Sequence, residues 1–169
     1  TMPYFLAPQK ISFVVKEKLF TTPLFTHIMK SIRCIPMTRT NPAKDLKRLY
    51  KEGGELIKEG TSIIIFPQKT RGLEFIPEEF GSIGVKLARR MKVPVQPFAL
   101  KTDFWELGKK ISDYGPVNRD CTYFFDLGDP IEVTKENEQE AQQQCIDFIQ
   151  SRLDKWNADP SFDPQELLD

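Results

Sequence analysis

The stretch Leu56-Ile57-Lys58-Glu59-Gly60-Thr61-Ser62-Ile63-Ile64-Ile65-Phe66-Pro67-Gln68-Lys69-Thr70-Arg71-Gly72 sets the rhythm of the chain. Just upstream, Asn41-Pro42 reads as a helix start, with asparagine as the cap and proline at the first helical position. Leu46, Leu49, Tyr50, Gly53, Leu56 and Ile57 then recur at helical spacing, and Gly60 stops the helix. Residues 62–66 follow at once as a strand of the fully buried kind. A helix, a glycine and a buried strand in that order point to an α/β protein.

The pattern extends in both directions. Residues 11–15 are apolar and β-branched and read as another buried strand. Pro23 opens a short helical stretch over 24–32. Residues 33–37 read as a short strand whose proline argues for an edge or a strand end. Phe80, Ile83, Leu87, Ala88 and Met91 outline a second amphipathic helix, and residues 93–100 a further strand with prolines near its start. Residues 102–119 read as a loop and 122–127 as a late strand. Gly128-Asp129-Pro130 turns that strand into 131–133. The last helix is expected over about 135–156, with Ala141, Cys145, Phe148, Ile149, Leu153 and Trp156 on one side. The expected fold is α/β, a central, mostly parallel or mixed sheet flanked by helices. It forms a single domain over residues 1–157, followed by an acidic tail over 158–169.

Charge sharpens this picture. The 169 residues carry 24 Lys/Arg and 24 Asp/Glu, a formal charge of zero. Residues 1–110 hold 20 basic and 10 acidic residues, and residues 111–169 hold 4 and 14. The first two-thirds is therefore suited to an anionic partner: nucleic acid, a membrane surface or a phosphorylated small molecule. The basic residues are spread over several elements, and no helix-turn-helix, zinc-finger or RNP pattern accompanies them, which disfavours nucleic acid. Three cysteines without C-x-x-C spacing argue against a disulfide framework and fit a reducing compartment. A single histidine, His27, excludes a multi-histidine metal site within the chain, and no metal is expected. No apolar run approaches the roughly 18–20 residues of a membrane span.

The chemistry concentrates where strand 62–66 ends. In open α/β sheets, ligands bind beyond the carboxyl ends of strands. There Lys69, Thr70 and Arg71 supply a point charge, a hydroxyl and a planar fork of donors, a set that suits a phosphate oxyanion. A solvated basic turn is the plainer alternative. Lys16 follows the first buried strand and reads either as an active-site cation or as a lysine whose stem lies on apolar surface.

Phe66-Pro67-Gln68-Lys69-Thr70-Arg71 resembles the F-P-E-G-T-R block of the 1-acylglycerol-3-phosphate (lysophosphatidic acid) acyltransferase family. Four further blocks occur in the family's order. Val15-Lys16-Glu17-Lys18-Leu19 resembles its K-x-E-L block, and Pro23-Leu24-Phe25 its P-x-F-G turn, with Thr26 in place of the glycine. Ile35-Pro36-Met37-Thr38-Arg39 is similar to G-x-I-x-I-D-R, and Val93-Pro94-Val95-Gln96-Pro97 to V-P-V-x-P. The resemblance spans about residues 9–133. It implies transfer of a fatty acyl group from acyl-CoA or acyl carrier protein to the hydroxyl of a lysophosphatidic-acid-like glycerol phosphate, in phospholipid biosynthesis. No cofactor is implied beyond that co-substrate. It also implies a membrane-associated enzyme on the cytoplasmic face, with acyl carrier protein as a candidate partner.

The resemblance carries site roles onto matching positions. Arg39, Lys69, Thr70 and Arg71 become phosphate ligands, and Lys16 and Gln68 further substrate-site residues. Three positions depart from the pattern: Gln68 stands for Glu, Lys69 for Gly and Thr38 for Asp, each making the site more cationic. The family's H-x-x-x-x-D block, whose histidine is the general base, has no counterpart here. His27 follows the lysine block and is succeeded by Ser31 and Ile32 instead of an acid, so it reads as a helix-surface or partly buried structural histidine. The catalytic His and Asp/Glu are expected upstream of Thr1, and this 169-residue chain is expected to be inactive by itself. A catalytically dead lipid- or anion-binding domain is the main alternative, and a nucleic-acid-binding module the lesser one.

Overall fold

Residues 11–15 form most of strand β1 (Lys10–Lys16) in the computed structural model, which describes residues 10–21, 23–68, 74–102, 104 and 115–158. The chain divides into two compact units, Thr1–Lys69 with Gly81–Val93, and Thr70–Phe80 with Pro94–Asp169.

In the first unit, β1 is the middle strand of a three-stranded parallel sheet. β2 (Ile35–Met37) lies on one side and β3 (Thr61–Ile64) on the other. Val14 pairs with Ile35 and Lys16 with Met37, while Lys10 pairs with Thr61 and Phe13 with Ile64. Pro36 sits at the centre of β2, which is an edge strand, so its missing N–H costs the sheet only on the open side. The strand expected over 62–66 is displaced. Its ladder runs from Thr61 to Ile64, and Phe66 is 53% exposed beyond it. It is thus half-covered rather than fully buried.

A five-residue 3₁₀ turn (Glu17–Thr21) and helix α1 (Pro23–Ser31) join β1 to β2. The helix expected between Asn41 and Gly60 forms in three pieces: α2 (Pro42–Arg48), a π-helical turn (Leu49–Gly53) and α3 (Gly54–Lys58). Asn41 caps it as expected, its side chain accepting the Lys44 N–H at 3.0 Å. Gly60 ends it at φ +78°, a conformation open to glycine at little cost. The π turn lies where the helix meets the sheet. A Cβ on Gly53 would stand 3.1 Å from Ile63 Cδ1 and 3.4 Å from Ile35 Cδ1, so the missing side chain admits the close approach. Val14, Ile35, Met37, Leu49, Leu56 and Leu87 form the core, with Ile57, Ile63, Ile65, Ile83 and Met91 packed against it. Leu87 comes from α4 (Ile83–Met91), which starts later than Phe80 suggests because Phe80 closes a 3₁₀ turn onto Pro77.

In the second unit, β4 (Phe98–Lys101) pairs antiparallel with β5 (Phe124–Leu127), Phe98 opposite Leu127 and Lys101 opposite Phe124. Parallel and antiparallel pairs therefore belong to two separate sheets. The strand expected from residue 93 begins only at Phe98, since Pro94 and Pro97 have no N–H to donate. Residues 131–133 contribute one bridge, Ile131 to Val95, in place of a strand. Helix α5 (Glu138–Asn157) is held to this sheet by polar and aromatic contacts. Lys101 Nζ donates to the Trp156 carbonyl at 3.2 Å, Arg152 pairs with Asp126 at 2.6 Å, and Phe124 lies against Trp156. The acidic tail expected over 158–169 lies, from residue 159 onward, outside the described residues.

Gly128 is closely packed. A Cβ there would stand 2.7 Å from Pro97 Cγ and 3.0 Å from the Phe148 ring. Gly128→Ala is expected to lower the unfolding free energy by about 1–3 kcal/mol, the usual cost of overpacking. Chemical denaturation of the two forms would measure it, and unchanged stability would show that Pro97 and Phe148 yield without cost.

Candidate functional site

Because all three strands of the first sheet are parallel, their carboxyl ends lie on one side. β1 ends at Lys16, which pairs with Met37, and the chain beyond Met37 turns at once through Thr38 and Arg39. The structure thus brings Lys16 and Arg39 to the same end of the sheet. Gln68, half-buried, follows β3 at that end. Lys69, Thr70 and Arg71 lie outside the described residues. So do residues 103 and 105, within the stretch 102–119 expected as a loop. Phe104 from that loop lies against Tyr123, their ring centres 6.0 Å apart.

The turn after β2 is held by a residue that the sequence patterns did not single out. Asp45, in the first turn of α2, is 4% exposed. Its Oδ1 accepts the Thr38 N–H at 2.9 Å and the Thr38 hydroxyl at 3.1 Å, and its Oδ2 accepts the Arg39 N–H at 2.7 Å. Burial pushes its pKa up. The hydrogen bonds from Thr38 and Arg39, with the nearby Arg48 charge, outweigh that and hold the carboxyl below its ordinary value. Asp45 is therefore a carboxylate at neutral pH. Thr38 does not leave the turn simply more cationic, as its replacement of an acid suggests: a carboxylate returns to the same place from the helix. The only sequence signal was an acid in a first helical turn, which ordinarily reads as complementing the helix dipole.

Arg39 itself has φ +62°, in the left-handed region that non-glycine residues seldom occupy. Arg48 ties this corner together. Its guanidinium donates to the Pro36 carbonyl at 3.0 Å and to Glu17 Oε1 at 3.3 Å. Glu17, in the block that contains Lys16, is thus engaged with the frame of the site. His27 is exposed on α1, the helix-surface one of its two expected placements.

Lys47, Lys51 and Arg90 gather around a shallow hollow of about 480 Å³ formed with Ala43, Leu46 and Tyr50. Arg90 stacks 5.0 Å above the Tyr50 ring. Of the expected site residues that are described, Lys16, Arg39 and Gln68, none lines it. Among the described residues there is no group of three or more side chains suited to a metal ion, and no helix is long and apolar enough to cross a membrane.

A family model described as Acyltransferase matches residues 1–101. The chain belongs to the acyltransferase family. It is 33% identical over 91 residues to the 1-acyl-sn-glycerol-3-phosphate acyltransferase of Pseudomonas aeruginosa, a match covering 54% of this chain and 35% of that protein. With the enzyme of the same name from Bacillus subtilis it shares 32% identity over 94 residues, covering 56% and 45%. This acyltransferase chain thus matches less than half the length of either relative. The crystal structure of the 1-acyl-sn-glycerophosphate (LPA) acyltransferase PlsC from Thermotoga maritima has the same fold. Its TM-score is 0.64 at 18% identity, over 89% of this chain and 58% of that one. The α/β acyltransferase fold expected from the motif blocks is the one observed.

Proposed function

We propose that this chain forms the acceptor-binding core of an enzyme that transfers a fatty acyl group from a thioester to the free hydroxyl of a lysophosphatidic-acid-like glycerol phosphate. The supporting observation is the convergence of Lys16 and Arg39 at the carboxyl end of the parallel sheet, in blocks that match the family's order. Arg39 and Arg71 clamp the acceptor phosphate, with Lys69 and Thr70 contributing charge and a hydroxyl. Lys16 and Gln68 line the substrate site.

The reaction needs a general base. A neutral imidazole takes the acceptor hydroxyl proton, and a carboxylate fixes its tautomer. The acceptor oxygen attacks the thioester carbonyl, the C–S bond breaks, and the thiol of coenzyme A or acyl carrier protein departs with a proton. His27 is a poor base for this, being exposed on α1 with Ser31 and Ile32 where an acid would have to stand. The product is a membrane lipid, which supports action at a membrane surface.

The test is release of thiol from acyl-CoA, and separately from acyl carrier protein, in the presence of lysophosphatidate. A longer form that carries an H-x-x-x-x-D block is expected to turn over, and the 169-residue chain alone is expected to be silent, because its one histidine lacks an acid partner. Turnover by the 169-residue chain would place the base within it. Lysophosphatidate binding without thiol release, in a form that does carry such a block, would identify a lipid-binding domain instead.

A further inference from the structure

We infer that Asp45 is a positioning residue for Arg39, its carboxylate fixing the backbone from which that side chain reaches the acceptor phosphate. The inference rests on the reading of Arg39 as a phosphate ligand.

Burying a carboxylate is costly unless charge-assisted hydrogen bonds replace its water. Asp45 is buried, and both its oxygens are used on just two consecutive residues, Thr38 and Arg39. The helix does not require this. Its N-terminus is already capped by Asn41, which accepts from Lys44 N–H, and Pro42 fills the first position. The Asp45 side chain therefore serves the turn and not the helix that carries it.

What it holds is a strained conformation. Arg39 adopts φ +62° without being a glycine, and such residues persist where the surroundings over-determine them. The shortest of the three bonds, 2.7 Å, goes to the Arg39 N–H. Released from that bond, the peptide between Thr38 and Arg39 can relax toward an ordinary extended or helical φ, which swings the Arg39 Cα–Cβ direction away. A long side chain magnifies such a rotation at its tip, and a bidentate phosphate contact tolerates little of it. The same carboxylate stands beside Thr38, the position at which the resembling I-D-R block carries an acid. Here the acid comes from α2 and acts through the main chain.

The experiment is a coupled pair of substitutions in this chain, read as affinity for hexanoyl-lysophosphatidate by calorimetry. Hexanoyl-glycerol, which lacks the phosphate, serves as the control, and thermal melting reports folding. Arg39→Ala is expected to weaken lysophosphatidate binding about tenfold or more, the loss of a charge-assisted contact. Asp45→Asn keeps the shape but turns an N–H donor toward a backbone N–H, and should weaken binding about three- to tenfold. The double variant should bind no worse than Arg39→Ala alone, and binding of hexanoyl-glycerol should not move in any of them.

Asp45→Asn binding like the unsubstituted chain would overturn the inference, as would a double variant weaker by the product of the two single effects. Asp45→Glu, which keeps the charge and displaces it by one methylene, covers the case in which Asp45→Asn fails to fold. It too should lose lysophosphatidate affinity selectively, and unchanged affinity would overturn the inference equally. If Arg39→Ala itself binds normally, or if the unsubstituted chain binds no lysophosphatidate, the phosphate reading has failed. If only the Asp45 variants bind normally, that reading stands and the positioning role falls.

Discussion

Replacing Leu49 with alanine is expected to lower the unfolding free energy by about 3–5 kcal/mol, the upper range for a buried leucine. Leu49 is fully enclosed, with 0% of its surface exposed. It lies in the π turn, and one of its methyl carbons stands 3.3 Å from where a Gly53 Cβ would be. Around it are Ile35 from β2, Leu56 from α3 and Leu87 from α4. Truncation therefore opens a cavity walled by a sheet and two helices. Collapse into that cavity would have to move β2 or α4 as a whole, so little of the lost contact is recovered. Urea denaturation should show a lower midpoint with an unchanged slope. Ile28→Ala, at a side chain 47% exposed on α1, is the comparison and should cost under about 1 kcal/mol. A Leu49→Ala loss as small as that of Ile28→Ala would mean the core is not closed around residue 49.

The second large effect is expected at Arg71. Arg71→Ala should weaken binding of lysophosphatidate about 10- to 100-fold, since a guanidinium fork on a phosphate is among the stronger polar contacts. Affinity for the matching neutral monoacylglycerol should stay the same. Arg71→Lys should recover only part of the loss, because an ammonium keeps the charge and gives up the two-point geometry. High salt should narrow the gap between the forms, as screening weakens charge–charge contacts. Equal lysophosphatidate affinity in Arg71→Ala and the unsubstituted chain would remove Arg71 from the phosphate site and leave it an ordinary basic residue of a turn.

Local signals translated well where one residue decides one conformation. Asn41 with Pro42 announced the start of α2, and Gly60 the end of α3, because capping and positive φ are properties of single residues. Pro36 announced an edge strand, because a missing N–H is visible in the sequence. The acyltransferase fold followed from five blocks in order. The misses have a common physical origin in contacts between distant segments. The π turn exists because Gly53 and Leu49 must fit against Ile35 and Ile63, and no helical periodicity encodes that. Residues 93–97 and 131–133 have strand-like composition, yet Pro94 and Pro97 break the ladder and leave the single Val95–Ile131 bridge. At the candidate site, Lys16 and Arg39 were legible from their blocks and do share one end of the sheet. Asp45 was not. Its importance comes from reaching back to Thr38 and Arg39, while its place in the sequence is that of any acid in a first helical turn.

The middle place of β1 also bears on how the chain is made. β1 leaves the ribosome before either of its neighbours, and both pair with it in parallel, so neither can close by a simple hairpin. β2 can dock soon after it emerges, but the edge that receives Thr61–Ile64 stays open through synthesis of the whole helical segment between them. During that interval an apolar strand with unpaired amides is presented to whatever is nearby, including nascent copies of itself. Translation speed through codons 42–60 is therefore expected to govern the soluble yield of this chain more strongly than speed beyond codon 64.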